Sequence, residues 1–156
     1  MAQEIVIHDE AAQKFLTRAL EKAKEAKDGG RAYAAALSSV VFADVISHFE
    51  QETGSEGPWD PWSKVYADHM GKIGKGGNKI LQDTGRLRQA FLPTNYRKVS
   101  EGILWFNPAK TKSGFPYAYA HNEGGPKLPQ RDFMYLSDEA TDRIAEVTLN
   151  YVLEKT

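Results

Sequence analysis

A chain of 156 residues, 41% hydrophobic and 26% charged, is sized for one domain that buries roughly two-thirds of its unfolded surface without a metal or disulfide staple. Cysteine is absent, which excludes disulfides, thiolate metal sites, iron–sulfur clusters and thiol nucleophiles, and fits a reducing environment. The formal net charge of −1 is unevenly spread: residues 1–71 sum to −5, residues 72–131 to +8 and residues 132–156 to −4.

The start, MAQEIVIHDE, has no basic run and only Ile5-Val6-Ile7 as an apolar one, so no signal peptide is expected. No stretch reads as the roughly 20 apolar residues of a membrane span, and no membrane partner is expected. Asp9 is placed to cap a first helix whose apolar positions, Phe15, Leu16, Ala19, Leu20 and Ala23, recur at three- and four-residue steps. Gly29-Gly30 ends it. A second helix is predicted from Arg31 to about Glu52, with Tyr33, Leu37, Val40, Val41, Val45, Ile46 and Phe49 on a face broad enough for more than one neighbour. The two form a helical hairpin.

Glycines and prolines break the chain from Thr53 to Asn78, around Trp59, Trp62 and Tyr66. A short helix fits Pro61 to Met70. Gly71 to Lys79, with Lys72, Lys75 and Lys79, reads as a mobile basic loop too glycine-rich to pack. Asp83 or Thr84 then caps a turn or two of helix carrying Leu87 and Phe91. Extended runs are predicted over about 92–99 and 103–107, joined by Ser100-Glu101-Gly102, followed by a polar loop over 108–114. Tyr117 to His121 is a short helix stopped by Gly124-Gly125, and Pro126 and Pro129 force an extended course through Arg131 to Tyr135. Ser137 caps a last helix with Ala140, Ile144, Val147, Thr148, Tyr151 and Val152 as its buried stripe. The expected architecture is α+β: an N-terminal helical hairpin and a C-terminal helix packed on a small antiparallel sheet. Residues 1–156 form one domain, with mobile loops near 71–79 and 108–114.

Little in the chain suggests chemistry. His8, His48, His69 and His121 have no HExxH or His-x-His spacing, and Gly71 to Gly76 lacks the GxxxxGK[ST] pattern of a phosphate loop. Ser63, Ser113 and Ser137 lack a nucleophile-elbow context. His121, with Glu123 nearby, is the one candidate general base; its structural alternative is bonding to the last carbonyls of its helix. Arg131 offers planar, bidentate hydrogen bonding, either to a carboxylate of a neighbouring subunit or within its own fold, to a carboxylate or backbone carbonyls. The basic centre suits an anionic partner, head-to-tail pairing of like chains, or plain solvation. With Trp59, Trp62 and the tyrosines it would make a base-stacking platform, so a nucleic-acid-binding module is the alternative function.

Four motifs in order carry a resemblance: Trp59-x-x-Trp62-Ser63; Ile80-Leu81-Gln82-Asp83-Thr84-Gly85-Arg86-Leu87; Tyr117-Ala118-Tyr119-Ala120-His121-Asn122-Glu123-Gly124-Gly125; and Leu128-Pro129-Gln130-Arg131-Asp132-Phe133-Met134-Tyr135-Leu136-Ser137. Over about residues 30–155 the succession resembles the phage virion morphogenesis family, whose members include tail-completion proteins and the G protein of phage Mu. Trp62, Asp132 and Tyr135 stand where that pattern more often has Leu, Pro and Gly. The resemblance implies a non-enzymatic structural part of a virion, acting in tail completion or head–tail joining. It implies assembly into rings, neck or tail proteins as partners, and no cofactor. The protein would then be assembled in the host cytoplasm and reside in the virion, its basic segment facing either DNA in a lumen or an acidic neighbour. Trp59, Trp62, Thr84, Gly85, Leu87, Tyr117, His121, Gly124, Pro129, Arg131 and Phe133 are its candidate packing or contact residues.

Overall fold

The computed structural model describes residues 10–100 and 102–153; the Asp9 cap and Glu101 of the predicted turn lie outside them. Helices α1 (Glu10–Lys27) and α2 (Arg31–Gln51) are the hairpin, turning through residues 28–30. Two tiny strands follow, β1 (Thr53–Gly54) and β2 (Gly57–Pro58), then α3 (Lys64–Lys72) and α4 (Arg86–Ala90). Strands β3 (Tyr96–Val99) and β4 (Gly102–Trp105), then α5 (Tyr117–Glu123) and α6 (Asp138–Leu153), complete the chain.

The α+β class holds, but the sheet is not one layer under the helices. Among the described residues β1 pairs only with β2 and β3 only with β4, both antiparallel. Tyr96 faces Trp105 across the second pair, whose strands are shorter than the extended runs in the sequence. Bulk comes instead from helix packing, α6 lying against both α2 and α1. Tyr33 of α2 joins them: its hydroxyl meets the Thr148 hydroxyl at 2.8 Å and its ring lies 5.4 Å from that of Tyr151.

α2 is the one described helix long and apolar enough, by length and composition, to cross a membrane, contrary to the sequence expectation. Its apolar character serves packing: Ala34, Leu37, Val41, Val45 and Phe49 are all buried. Around the lower half of α2 gather Trp59, Leu87, Phe91, Ala109, Ala118 and Phe133, the main core. Phe49 is edge-on to Trp59 at 5.8 Å and 4.9 Å from Phe133. α1 is different. Of its predicted stripe, Phe15, Leu16 and Leu20 are 44%, 58% and 71% exposed while Ala19 and Ala23 are half-buried, so the large side chains mark a side that the described residues leave largely uncovered.

Local signals set several ends. α3 begins later than Pro61, because Ser63 Oγ accepts from Tyr66 N and so fixes the cap there. α4 is capped by neither Asp83 nor Thr84 in the usual way: Gly85, at φ 71°, is its N-cap and makes no side-chain bond. Thr84 Oγ1 reaches only Arg86 N, at 3.4 Å, and Asp83 is held by Lys75 Nζ at 2.6 Å. Ser137 caps α6 as predicted, its Oγ accepting from Ala140 N at 3.1 Å. The same hydroxyl donates to Asp44 Oδ1 at 2.6 Å, while Ser137 N donates to Asp44 Oδ2 at 3.0 Å, so the cap also fastens α6 to α2.

The basic segment after α3 is mostly exposed and carries a few local hydrogen bonds. α3 itself takes in Gly71 and Lys72. Lys75 N bonds Met70 O, Asn78 N bonds Lys75 O, and Lys79 Nζ donates to Glu50 O at 2.7 Å.

Candidate functional site

The extended stretch after α5 is pinned first. Asn122 Oδ1 accepts from both Phe133 N and Met134 N, at 3.0 and 2.9 Å. Arg131 N donates to His121 O at 2.9 Å. Gly124 makes the turn possible: its φ of 71° and ψ of −166° suit only glycine, and a Cβ there would lie 2.8 Å from Gln130 N. Folded back in this way, the stretch lays Pro129 and Arg131 beside His121.

Arg131 is 7% exposed and points at the segment between β2 and α3. Its Nε and Nη2 donate to Asp60 O at 3.1 and 3.0 Å, and Nη2 also reaches Pro61 O at 3.3 Å. Of the two readings of this side chain, the one through backbone carbonyls describes its contacts. Burial lowers its pKa, opposed by the negative charge of Asp60 and, less, by neighbouring Tyr66. His121 lies against it. Burial, and then the Arg131 charge, push this imidazole below the usual histidine range. The expected bond from His121 to the last carbonyls is not made: Nδ1 is buried with no hydrogen-bond partner, and Gly124 N takes the Ala120 carbonyl.

These groups line a cleft of about 1040 Å³. One wall is Trp62 and Tyr66, edge to face at 5.3 Å. Leu81 and Thr84 come from the approach to α4, Arg86 and Leu87 from α4 itself, Tyr117 and His121 from α5, and Leu128, Pro129 and Arg131 from the return. Leu81 stands at φ 60°, a strained backbone for a leucine. Thus one cleft takes residues from all four sequence motifs: Trp62, then Thr84 and Leu87, then Tyr117 and His121, then Pro129 and Arg131.

The other predicted residues lie elsewhere. Trp59 is 6% exposed, its Nε1 donating to Asp132 O at 2.9 Å, and Phe133 is completely buried; both belong to the core. Gly85 and Gly124 shape the backbone beside the cleft without lining it. Lys79 is on the rim, whereas Lys72 and Lys75 are not among the lining residues. Of the base-stacking platform expected from Trp59, Trp62 and the tyrosines, Trp59 is inside the core whereas Trp62 and Tyr117 line the cleft, and Lys75 and Lys79 are engaged by Asp83 and the Glu50 carbonyl.

Sequence reading missed Tyr66, Leu81, Arg86, Lys112 and Lys127 as cleft residues, and Asn122 as the clamp of the return. Arg86 and Leu81 sat inside a quoted motif, and that was the available signal. The substituted positions also find partners. Asp132 Oδ2 takes the Ser55 N–H and hydroxyl, at 3.0 and 2.5 Å, and Tyr135 stacks on His48 at 3.9 Å.

No curated protein and no solved structure matches the chain. A family model does, over residues 7–153, and it is the phage virion morphogenesis family. With the motifs of that resemblance gathered at one cleft and the match running nearly end to end, the chain belongs to the phage virion morphogenesis family, and its role lies in phage virion assembly.

Proposed function

We propose that this protein is a non-catalytic structural subunit that acts in tail completion or head–tail joining, and that the cleft is where it grips another chain of the particle. It self-associates or binds a neck or tail protein, is assembled in the host cytoplasm and ends in the virion. The observation that carries the reading is the convergence of the four motifs on one cleft whose buried cation, Arg131, is spent on architecture. Arg131 holds main-chain carbonyls, and His121 lies beside a fixed cation. What remains accessible is aromatic and apolar wall with Arg86, Lys112 and Lys127 at its edge, the kind of surface that recognises another chain.

The test is genetic and structural together. Deleting the gene from the phage is expected to leave heads and tails unjoined, with infectivity restored by the intact gene but not by one carrying Trp62→Ala and Tyr66→Ala. Complete infectious particles from the deletion strain would overturn the proposal.

A further inference from the structure

The cleft has a chemical preference that narrows its occupant. Its accessible walls are apolar or aromatic, chiefly Trp62, Tyr66, Leu81, Tyr117, Leu128 and Pro129. Its mouth carries Arg86, Lys112 and Lys127, all exposed and none paired with a carboxylate among the described residues. The two acids of the lining are already matched, Asp83 by Lys75 at 2.6 Å and Asp60 by the charge of Arg131. A short apolar segment flanked by carboxylates fits such a site: its side chains enter the walls and its charges meet the lip.

The chain itself carries that pattern before α1. Glu4-Ile5-Val6-Ile7-His8-Asp9 places three consecutive β-branched apolar residues between two acids, with no Lys or Arg. We infer that the cleft of one subunit binds residues 4–9 of a second copy. Ile5 and Ile7 fill the apolar walls, and Glu4 and Asp9 meet the Arg86, Lys112 and Lys127 cations. The inference rests on reading the cleft as a docking site, and it names the occupant. A second copy is favoured over the same chain by where the parts sit. α1, which this segment enters, packs on α6 and α2, whereas the cleft is walled by α3, α4, α5 and their loops. Because the donated segment and the receiving cleft are different surfaces, each subunit gives one contact and receives one. Such head-to-tail contacts build a closed ring or an open filament.

Two full-length variants test this. One carries Ile5→Asp and Ile7→Asp, which spoils the segment and leaves the cleft. The other carries Arg86→Glu and Lys127→Glu, which spoils the lip and leaves the segment; circular dichroism and melting verify that both fold. Sedimentation is expected to show a concentration-dependent oligomer for the unaltered protein and monomers for each variant alone. Mixed, the two variants are expected to form a one-to-one dimer, since one still has a segment and the other a cleft. A synthetic peptide of residues 1–10 is expected to bind the segment variant at least about tenfold more tightly than the lip variant. A monomeric parent protein, variants that assemble like the parent, or a mixture that stays monomeric would each overturn the inference. The docking reading is judged separately. Particles that assemble with the segment variant but not with the lip variant would keep the cleft as a docking site and give it a different occupant.

Discussion

The Arg131 guanidinium closes a fork on the carbonyl of Asp60, with Nε at 3.1 Å and Nη2 at 3.0 Å, across 71 residues of sequence. Planar geometry lets one side chain make both bonds while Nη2 also reaches Pro61 O. This pairing sets the distance between the Trp62 wall and the Pro129 wall of the cleft. Arg131→Ala leaves the Asp60 and Pro61 carbonyls without this donor, and charge-assisted hydrogen bonds are worth about 1.5–3 kcal/mol. We expect a loss of about 2–3 kcal/mol in urea unfolding. Arg131→Lys should recover less than half of it, because an ammonium keeps the charge but not the fork. A fully stable Arg131→Lys protein would show that charge alone suffices.

The contrast between Phe133 and Leu20 separates fold from surface. Phe133 is fully buried against Phe49, so Phe133→Ala should cost about 3–5 kcal/mol. Leu20 is 71% exposed, and Leu20→Ala should change stability by no more than about 0.5 kcal/mol. Denaturant unfolding of both variants checks the pair. A large cost at Leu20 would mean that α1 is covered in the free protein, by a second copy for instance.

Much of the helical framework was legible because it is written locally. Ser137 followed by Asp138 and Glu139 announces the start of α6, and Gly124 after Tyr-Ala-Tyr-Ala-His announces the end of α5. The α6 stripe from Ala140 to Val152 is the side that faces the other helices or is at least partly covered. What failed was whatever depends on a distant partner. Trp59 and Trp62 look alike in sequence, each beside a proline. Only the fold brings the Asp132 carbonyl to the Trp59 indole and takes it into the core, leaving Trp62 for the cleft. Lys75 and Lys79 look free until Asp83 and the Glu50 carbonyl arrive. The periodicity of Phe15, Leu16 and Leu20 names a face but says nothing about what lies opposite. The cleft was half legible: its residues sit in the quoted motifs, but their convergence needs the Gly124 turn and the Arg131 fork.

His121 gives the fold a pH dependence with a definite sign. In the unfolded chain its ring takes up a proton near about pH 6.5; in the fold, burial and Arg131 delay that uptake to lower pH. The unfolded state therefore holds more protons in this interval, so stability declines as pH falls below about 6.5 and the loss levels off beneath the folded value. His121→Gln removes the titrating group. The drop in melting temperature between about pH 7.5 and pH 5.5 should be smaller in this variant than in the parent. An equal drop in both proteins would mean that the ring is as easily protonated folded as unfolded.

Gly124 and Gly125 stand side by side, yet the structure asks different things of them. Gly124 sits at φ 71°, and an added Cβ would lie 2.8 Å from Gln130 N and 2.9 Å from Gln130 Cα. Both are backbone atoms, so neither can swing away as a side-chain tip would. The same Cβ on Gly125 meets nothing within 4 Å. Gly124→Ala should therefore push the return strand off α5, breaking the bonds that Asn122 and His121 make to it. Backbone strain of this kind costs about 1–3 kcal/mol, to which the clash adds. Gly125→Ala should stay within about 0.5 kcal/mol of the parent. Urea unfolding measures both. If the two alanines cost the same, the turn does not depend on the Gly124 conformation.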